Sequence, residues 1–240
     1  MIYDNSASQK GKGTSFAINR LKQHLRNHYQ KYGNKGYILL IDFKSFFANI
    51  NHDILKMIYR KYIKDPLVLK YTDDFVDAFG DKGLGLGSET SQLHSILYAN
   101  AIDHYIKEVL KVKGYGRYMD DSYILCNDKK TLEEILTKLR PLYKKNGIMI
   151  NDKKTYITDL KHGFKFLKTR FYLMDNGKLI LKPLRKFITL QRRKLKRQAK
   201  LGLNKYYVER SMVSWQGSMS NKNAYQSVQN MNKLYKELWK

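Results

Sequence analysis

Cysteine is almost missing from this chain: Cys126 is the single one in 240 residues. That excludes an internal disulfide. No Cys/His cluster carries zinc-ligand spacing either, so a structural zinc site is excluded and a reducing, cytoplasmic setting is expected. There is no run of about 18 apolar residues and no basic-then-apolar leader, which argues against a membrane partner and for a soluble, unexported protein. Acidic residues are scarce as well. Against 46 Lys and Arg stand 21 Asp and Glu, giving a formal charge of +25 and a pI near 9.9. A surplus of that size points to a polyanion, with nucleic acid the first candidate.

What is present supports a folded body. Hydrophobic residues make up 42% of the chain, enough for one large domain or two small ones. Nineteen tyrosines lie among the cations. Aromatic faces beside positive charge suit the stacking of bases next to phosphates, although tyrosines packing the rim of a core would give the same composition.

Apolar spacing predicts a loop over Lys10–Thr14 feeding a basic helix to Tyr32, then a buried strand over Tyr37–Asp42 that ends on an acid. Helices are expected from Asp53, around Asp73–Phe79, over Thr90–Val112 and over Leu132–Tyr143. Gly116–Met119 and Ser122–Cys126 read as a hairpin with Asp120 and Asp121 at its turn. Ile148–Ile157 reads as a strand pair and Phe164–Leu173 as one strand. From Lys178 onward basic residues crowd a helix-forming stretch with almost no acids.

Asp-Asp is ordinary turn chemistry, and an Asp after a strand is often a helix cap. Their conjunction is less ordinary, because an acid on an apolar strand costs several kcal/mol unless a metal or hydrogen bonds compensate it. Joining a 3′-hydroxyl to a nucleoside triphosphate needs two divalent cations roughly 3.5–4 Å apart. Magnesium would need only two or three carboxylates, here Asp42, Asp120 and Asp121, with substrate phosphates completing its shell.

Tyr118-Met-Asp-Asp121 resembles the Y-x-D-D box of reverse transcriptases, and Ile41-Asp-Phe-Lys-Ser-Phe-Phe47-Ala-Asn-Ile-Asn-His52 resembles their first catalytic motif. Gly87-Ser-Glu-Thr-Ser91-Gln92 is similar to the family's G-x-x-x-S-P loop. Gly147-Ile-Met-Ile-Asn151-Asp-Lys-Lys154-Thr155 matches its G-L-x-L-N-x-x-K-T block, and Phe166-Leu167-Lys168 resembles the primer-grip F-L-G. These boxes stand in the family's order. Gln92 in place of proline, together with Met119, is closest to bacterial and phage enzymes of diversity-generating retroelements, with phage-defence and retron enzymes next.

The resemblance implies an α+β right-hand polymerase. Partial fingers would occupy 1–35, palm 36–52, fingers and palm helices 53–85, further palm 86–172 and a basic thumb 173–240. It implies an RNA-directed DNA polymerase that extends a DNA primer on an RNA template from dNTPs with two Mg2+ ions, Mn2+ being able to substitute. Asp42, Asp120, Asp121 and the Phe43 backbone would hold metal, while Lys154 would act on pyrophosphate if it is not simply a solvated lysine. Phe47, Gly87, Ser91, Gln92, Tyr118 and Met119 would contact the nucleotide, with Phe47 crowding a ribose 2′-hydroxyl. Lys10, Lys12, Arg117, Phe166, Leu167, Lys168, Arg192, Arg193, Lys196 and Arg197 would contact template and primer.

The family's fingers usually open with a further stretch ahead of K-G-K-G-T. Either the chain is a truncated reading frame or fragment lacking that fingers segment, or the job is expected to fall to an accessory protein or to Lys10 and Lys12. The alternatives carried forward are a nucleic-acid-binding remnant without synthesis and a defence-type enzyme making untemplated DNA.

Overall fold

The computed structural model describes residues 1–239, and the chain divides into two compact units, Met1–Leu160 and Lys161 onward. The first unit is built on a four-stranded antiparallel sheet in the order β2-β3-β1-β4, with β1 Tyr37–Asp42, β2 Tyr115–Tyr118, β3 Asp121–Cys126 and β4 Tyr156–Asp159. Ile38 to Ile41 are all buried, so both faces of β1 are covered, which is why its sequence is a continuous apolar run rather than an alternating one.

Helix α1 (Thr14–Tyr32) packs on β2 and β3, and α6 (Lys129–Lys145) on β1 and β3. Ala17, Ile18, Leu21 and Leu25 supply the buried stripe of α1, which stops at Gly33 in the left-handed region, its N–H bonded to the Tyr29 carbonyl at 2.8 Å. Residues 2–7 are also buried apart from Tyr3: Asn5 bridges Arg117 of β2 in parallel, extending the sheet edge.

Several elements differ from expectation. Helix α2 (His52–Tyr59) lies where foreseen, but α3 spans Pro66–Asp77 and so starts well before Asp73. Asp65 caps the Leu67 and Val68 N–H groups at 2.9 and 3.0 Å, and Pro66 takes the first helical position. Only Val76 of α3 is buried, so no apolar stripe announced its first turns.

The single helix expected over Thr90–Val112 is broken. α4 (Glu89–Tyr98) ends at Ala99, α5 (Asn100–His104) follows, and a π-helical turn covers Tyr105–Val109. The break has an identifiable cause: the Arg117 guanidinium takes the Ile96 carbonyl at 2.9 Å, and a side chain inserted into the i→i−4 ladder kinks a helix.

The strand pair expected over Ile148–Ile157 reduces to β4 and a lone bridge from Ile150 to Phe43, with a turn over 151–155 between them. The strand expected over Phe164–Leu173 is a hairpin, β5 (Phe164–Phe166) and β6 (Thr169–Leu173), which with β7 (Leu179–Pro183) forms the second unit's sheet. Leu167 and Lys168 turn the chain with φ of 45° and 60°, the sign pattern of a type I′ turn. That unit continues as α7 (Arg185–Lys200), α8 (Lys205–Gly217) and α9 (Tyr225–Leu238), packed around Leu195, Val208, Met212 and Met231. Among the described residues no helix is long and apolar enough to cross a membrane.

Candidate active site

Register builds the site. Asp42 ends β1 directly opposite Asp121, which begins β3, and the Phe43 N–H donates to the Asp120 carbonyl at 3.1 Å. Tyr118 pairs with Asp121, leaving Met119 and Asp120 as a two-residue turn. Three acidic residues therefore stand at one end of one sheet. Met119 adopts a φ of 53°, a region costly for a side chain with a Cβ. Its carbonyl accepts from Arg117 Nη1 at 3.0 Å and its sulfur lies 3.5 Å from Ser95 Oγ, so neighbours hold the turn in place.

The Asn151–Thr155 turn clasps Asp42. Asn151 Nδ2 donates to Asp42 Oδ1 at 2.8 Å, and Lys154 Nζ to Oδ2 at 3.0 Å. The Asp42 N–H reaches Thr155 Oγ1 at 3.3 Å. The Lys154 and Thr155 N–H groups both return to the Asn151 carbonyl, so positions three and four apart come to one side. Asn151 and Thr155 were not among the candidates, although their spacing in the N-x-x-K-T block was the signal for them.

Burial, and then Asp120 and Asp42 nearby, push the Asp121 carboxyl up to about 6. Asp120 is raised by burial, with Asp42 adding. Lys154 is raised by its hydrogen bond to Asp42 and by that charge. Among the described residues no three His, Cys, Asp or Glu side chains converge tightly enough to enclose a metal ion. Asp42 is drawn instead toward Asn151 and Lys154. The donors are nonetheless oxygen-only, and carboxylates pushed toward protonation by burial and by each other are in the electrostatic condition a divalent cation relieves. The residues fit such an ion.

The other candidates divide. Phe47 is half-buried, and its carbonyl accepts from the Leu84 N–H at 2.9 Å, which brings the stretch just ahead of Gly87 against the turn after β1. Gly87 has a φ of 95° and open space where a Cβ would stand, so backbone conformation is what requires glycine there. Ser91 is fully buried with its hydroxyl unpartnered, and Gln92 Oε1 accepts from Ser8 Oγ at 2.6 Å. The Tyr118 hydroxyl is 3.5 Å from Thr14 Oγ1. Lys10 is exposed, and so are Arg192, Arg193, Lys196 and Arg197, which share a side of α7.

Three candidates need correction. Arg117 is 1% exposed and pairs with Asp103 at 2.6 Å, so it is an internal strut and not a contact for nucleic acid. Lys12 directs its ammonium to the Tyr3 and Asn5 carbonyls and Gln9 Oε1, at 2.8, 2.9 and 3.1 Å, which ties the N-terminal segment together. Phe166 is buried beside a turn whose Leu167 is half-buried, leaving Lys168 the exposed member of that trio.

No curated protein sequence matches the chain significantly. Solved structures do resemble it. Apo telomerase from Candida tropicalis has a TM-score of 0.58 at 14% identity, over 98% of this chain and 46% of that one. Telomerase from Candida albicans with a TWJ fragment of telomeric RNA has 0.58 at 13%, over 80% and 39%. At such identities the likeness concerns the fold, an α+β polymerase palm, and the chain spans less than half the length of either structure. The family model for reverse transcriptase (RNA-dependent DNA polymerase) matches residues 2–171. With that match over most of its length, the chain belongs to the reverse transcriptase family.

Proposed function

We propose that the chain carries the palm chemistry of RNA-templated DNA synthesis, adding dNTPs to a primer 3′-hydroxyl. The observation that carries this reading is the pairing of Asp42 with Asp121 across β1 and β3, with Asp120 tied to the Phe43 N–H. Members of the family use divalent metals, and two Mg2+ ions bound there, or Mn2+ in their place, would activate the attacking hydroxyl and neutralise the triphosphate. Asp42, Asp120 and Asp121 would hold them, with the Phe43 carbonyl beside them.

Lys154, already 3.0 Å from Asp42, is positioned to move its charge from that carboxylate to the departing pyrophosphate. Phe47 would limit space at the sugar, and Gly87 to Gln92, Tyr118 and Met119 would border the new base pair. The exposed cations of α7 would follow the sugar-phosphate backbone of template and primer. The residue choices Ser91-Gln92 and Met119 favour a retroelement of the diversity-generating kind among bacterial and phage systems.

The test is primer extension on an RNA template with Mg2+. Asp120→Asn should slow incorporation at least about a hundredfold, and an unchanged rate would remove the carboxylates from this role. In the same assay Phe47→Ala should admit ribonucleotides. Salt-sensitive binding of template-primer with no incorporation under any metal would select the binding-only reading, and product without template the untemplated one.

A further inference from the structure

At the other end of β3 from Asp121 the first unit holds a cavity of about 930 Å3, lined there by Leu125 and Cys126. Five strand residues put it roughly 17 Å from the carboxylates. Its size falls in the range of sites that take small organic ligands. Arg20, Lys31, Lys107, Lys111 and Lys113 line it against a single carboxylate, Asp4. Asp4 is already engaged by Arg20 at 2.6 Å and Lys107 at 2.8 Å. The remaining three lysines have no acid in the cavity to neutralise them. Asn27 and Asn127 add neutral amides to the wall.

The backbone of that wall is unusual. A π-helical turn over Tyr105–Val109 runs into Lys111, which sits at a φ of 53°. π-turns and left-handed non-glycine residues are both rare and concentrate where a site requires them. Lys107, on the π-turn, spans from Asp4 at 2.8 Å to the Lys113 carbonyl at 3.0 Å, so the loop carrying Lys111 and Lys113 is fastened to the cavity wall. Gathering like charges there costs repulsion that an anion would relieve, and nothing in the polymerase chemistry uses this end of the sheet.

We propose that this cavity is a second phosphate-binding site, taking nucleotide phosphate groups from either a free nucleoside triphosphate or the backbone of an RNA strand. The proposal does not depend on polymerase activity. Cys126 is the protein's single cysteine and lines the cavity, so its reaction rate with the neutral reagent iodoacetamide reports occupancy.

The experiment uses the full chain and its Asp120→Asn variant without divalent metal, with ATP, pyrophosphate or a single-stranded RNA 12-mer as probe. Protection should appear equally in both proteins, and a probe at about ten times its Kd should slow labelling roughly tenfold. Protection by ATP and pyrophosphate assigns the free nucleotide; protection by RNA alone assigns the strand. Lys111→Gln with Lys113→Gln should abolish it. No protection by any probe, or equal protection in the double variant, overturns the proposal. If Cys126 is too slow to label, calorimetric titration with pyrophosphate and with the RNA decides: loss of pyrophosphate binding, or of one of the RNA-binding events, in the double variant supports the site, and titrations that the double substitution leaves unchanged, or that show no binding at all, sink it.

Discussion

Arg117 is fully buried, and its guanidinium gathers three parts of the first unit. It grips both oxygens of Asp103, at 2.8 Å from Nε to Oδ1 and 2.6 Å from Nη2 to Oδ2, and also takes the Ile96 and Met119 carbonyls. Tyr115 donates to the same carboxylate at 2.5 Å. Removing one member of a buried ion pair leaves the other uncompensated, so Arg117→Met should cost about 3–5 kcal/mol in denaturant unfolding. Arg117→Met with Asp103→Leu should regain most of that. Primer extension should stay slow in the double variant, because the Met119 carbonyl is still released; full recovery would show that Arg117 only supports the core.

His24 offers a pH test. Burial pushes it down to about 4, with Asp4 opposing and Lys107 and Arg20 adding to the shift. The unfolded chain binds this proton near 6.5 and the folded chain does not. The histidine's contribution to stability is therefore fully present above 6.5 and is lost as pH falls toward 4, by roughly 3 kcal/mol at the acid end. Asp121, raised to about 6, acts with the opposite sign between 3.8 and 6. The difference between the wild type and His24→Gln isolates the histidine: thermal unfolding of the variant should show a smaller decline between pH 6.5 and 4 than wild type, and parallel curves would rule the mechanism out.

At the scale of elements, hairpin turns decide where side chains point. The β5–β6 turn places Lys168 at a φ of 60°, a conformation that glycine adopts without a Cβ penalty. Lys168→Gly should stabilise the second unit by about 0.5–1 kcal/mol in chemical denaturation, because relief of that strain outweighs the attraction of its ammonium to the Phe187 ring, 5.5 Å away. A loss of stability would mean that the cation–π attraction is the larger of the two.

The strands β1 and β3 were legible because their apolar runs are bounded by acids at the site end, and β2 because it leads directly into the turn before β3. The split of the long helix at Ala99 was not, because its cause is Arg117, some twenty residues away in sequence. Only the second half of α3 was legible, since an exposed helix needs little apolar periodicity, and its start is marked by the capping chemistry of Asp65 and Pro66 alone.

For the whole molecule the dominant property is charge. Arg192, Arg193, Lys196 and Arg197 are exposed on α7, where neighbours four apart repel without an anion. Changing all four to glutamine should weaken template-primer binding and reduce the slope of log Kd against log salt by about 0.9 for each phosphate no longer neutralised. An unchanged slope would take α7 out of the interface.

By itself, the sequence determined the excess of positive charge, the order of the motif boxes and the strand that ends on Asp42, since composition and short-range periodicity are local properties. The tertiary structure decided that Asp42 faces Asp121, that Asn151 and Thr155 clasp the first carboxylate, and that Arg117 turns inward to hold the Met119 turn rather than outward to a phosphate. Those outcomes depend on strand register and on which buried charges find partners, and such pairings between distant residues exist only once the chain has closed on itself.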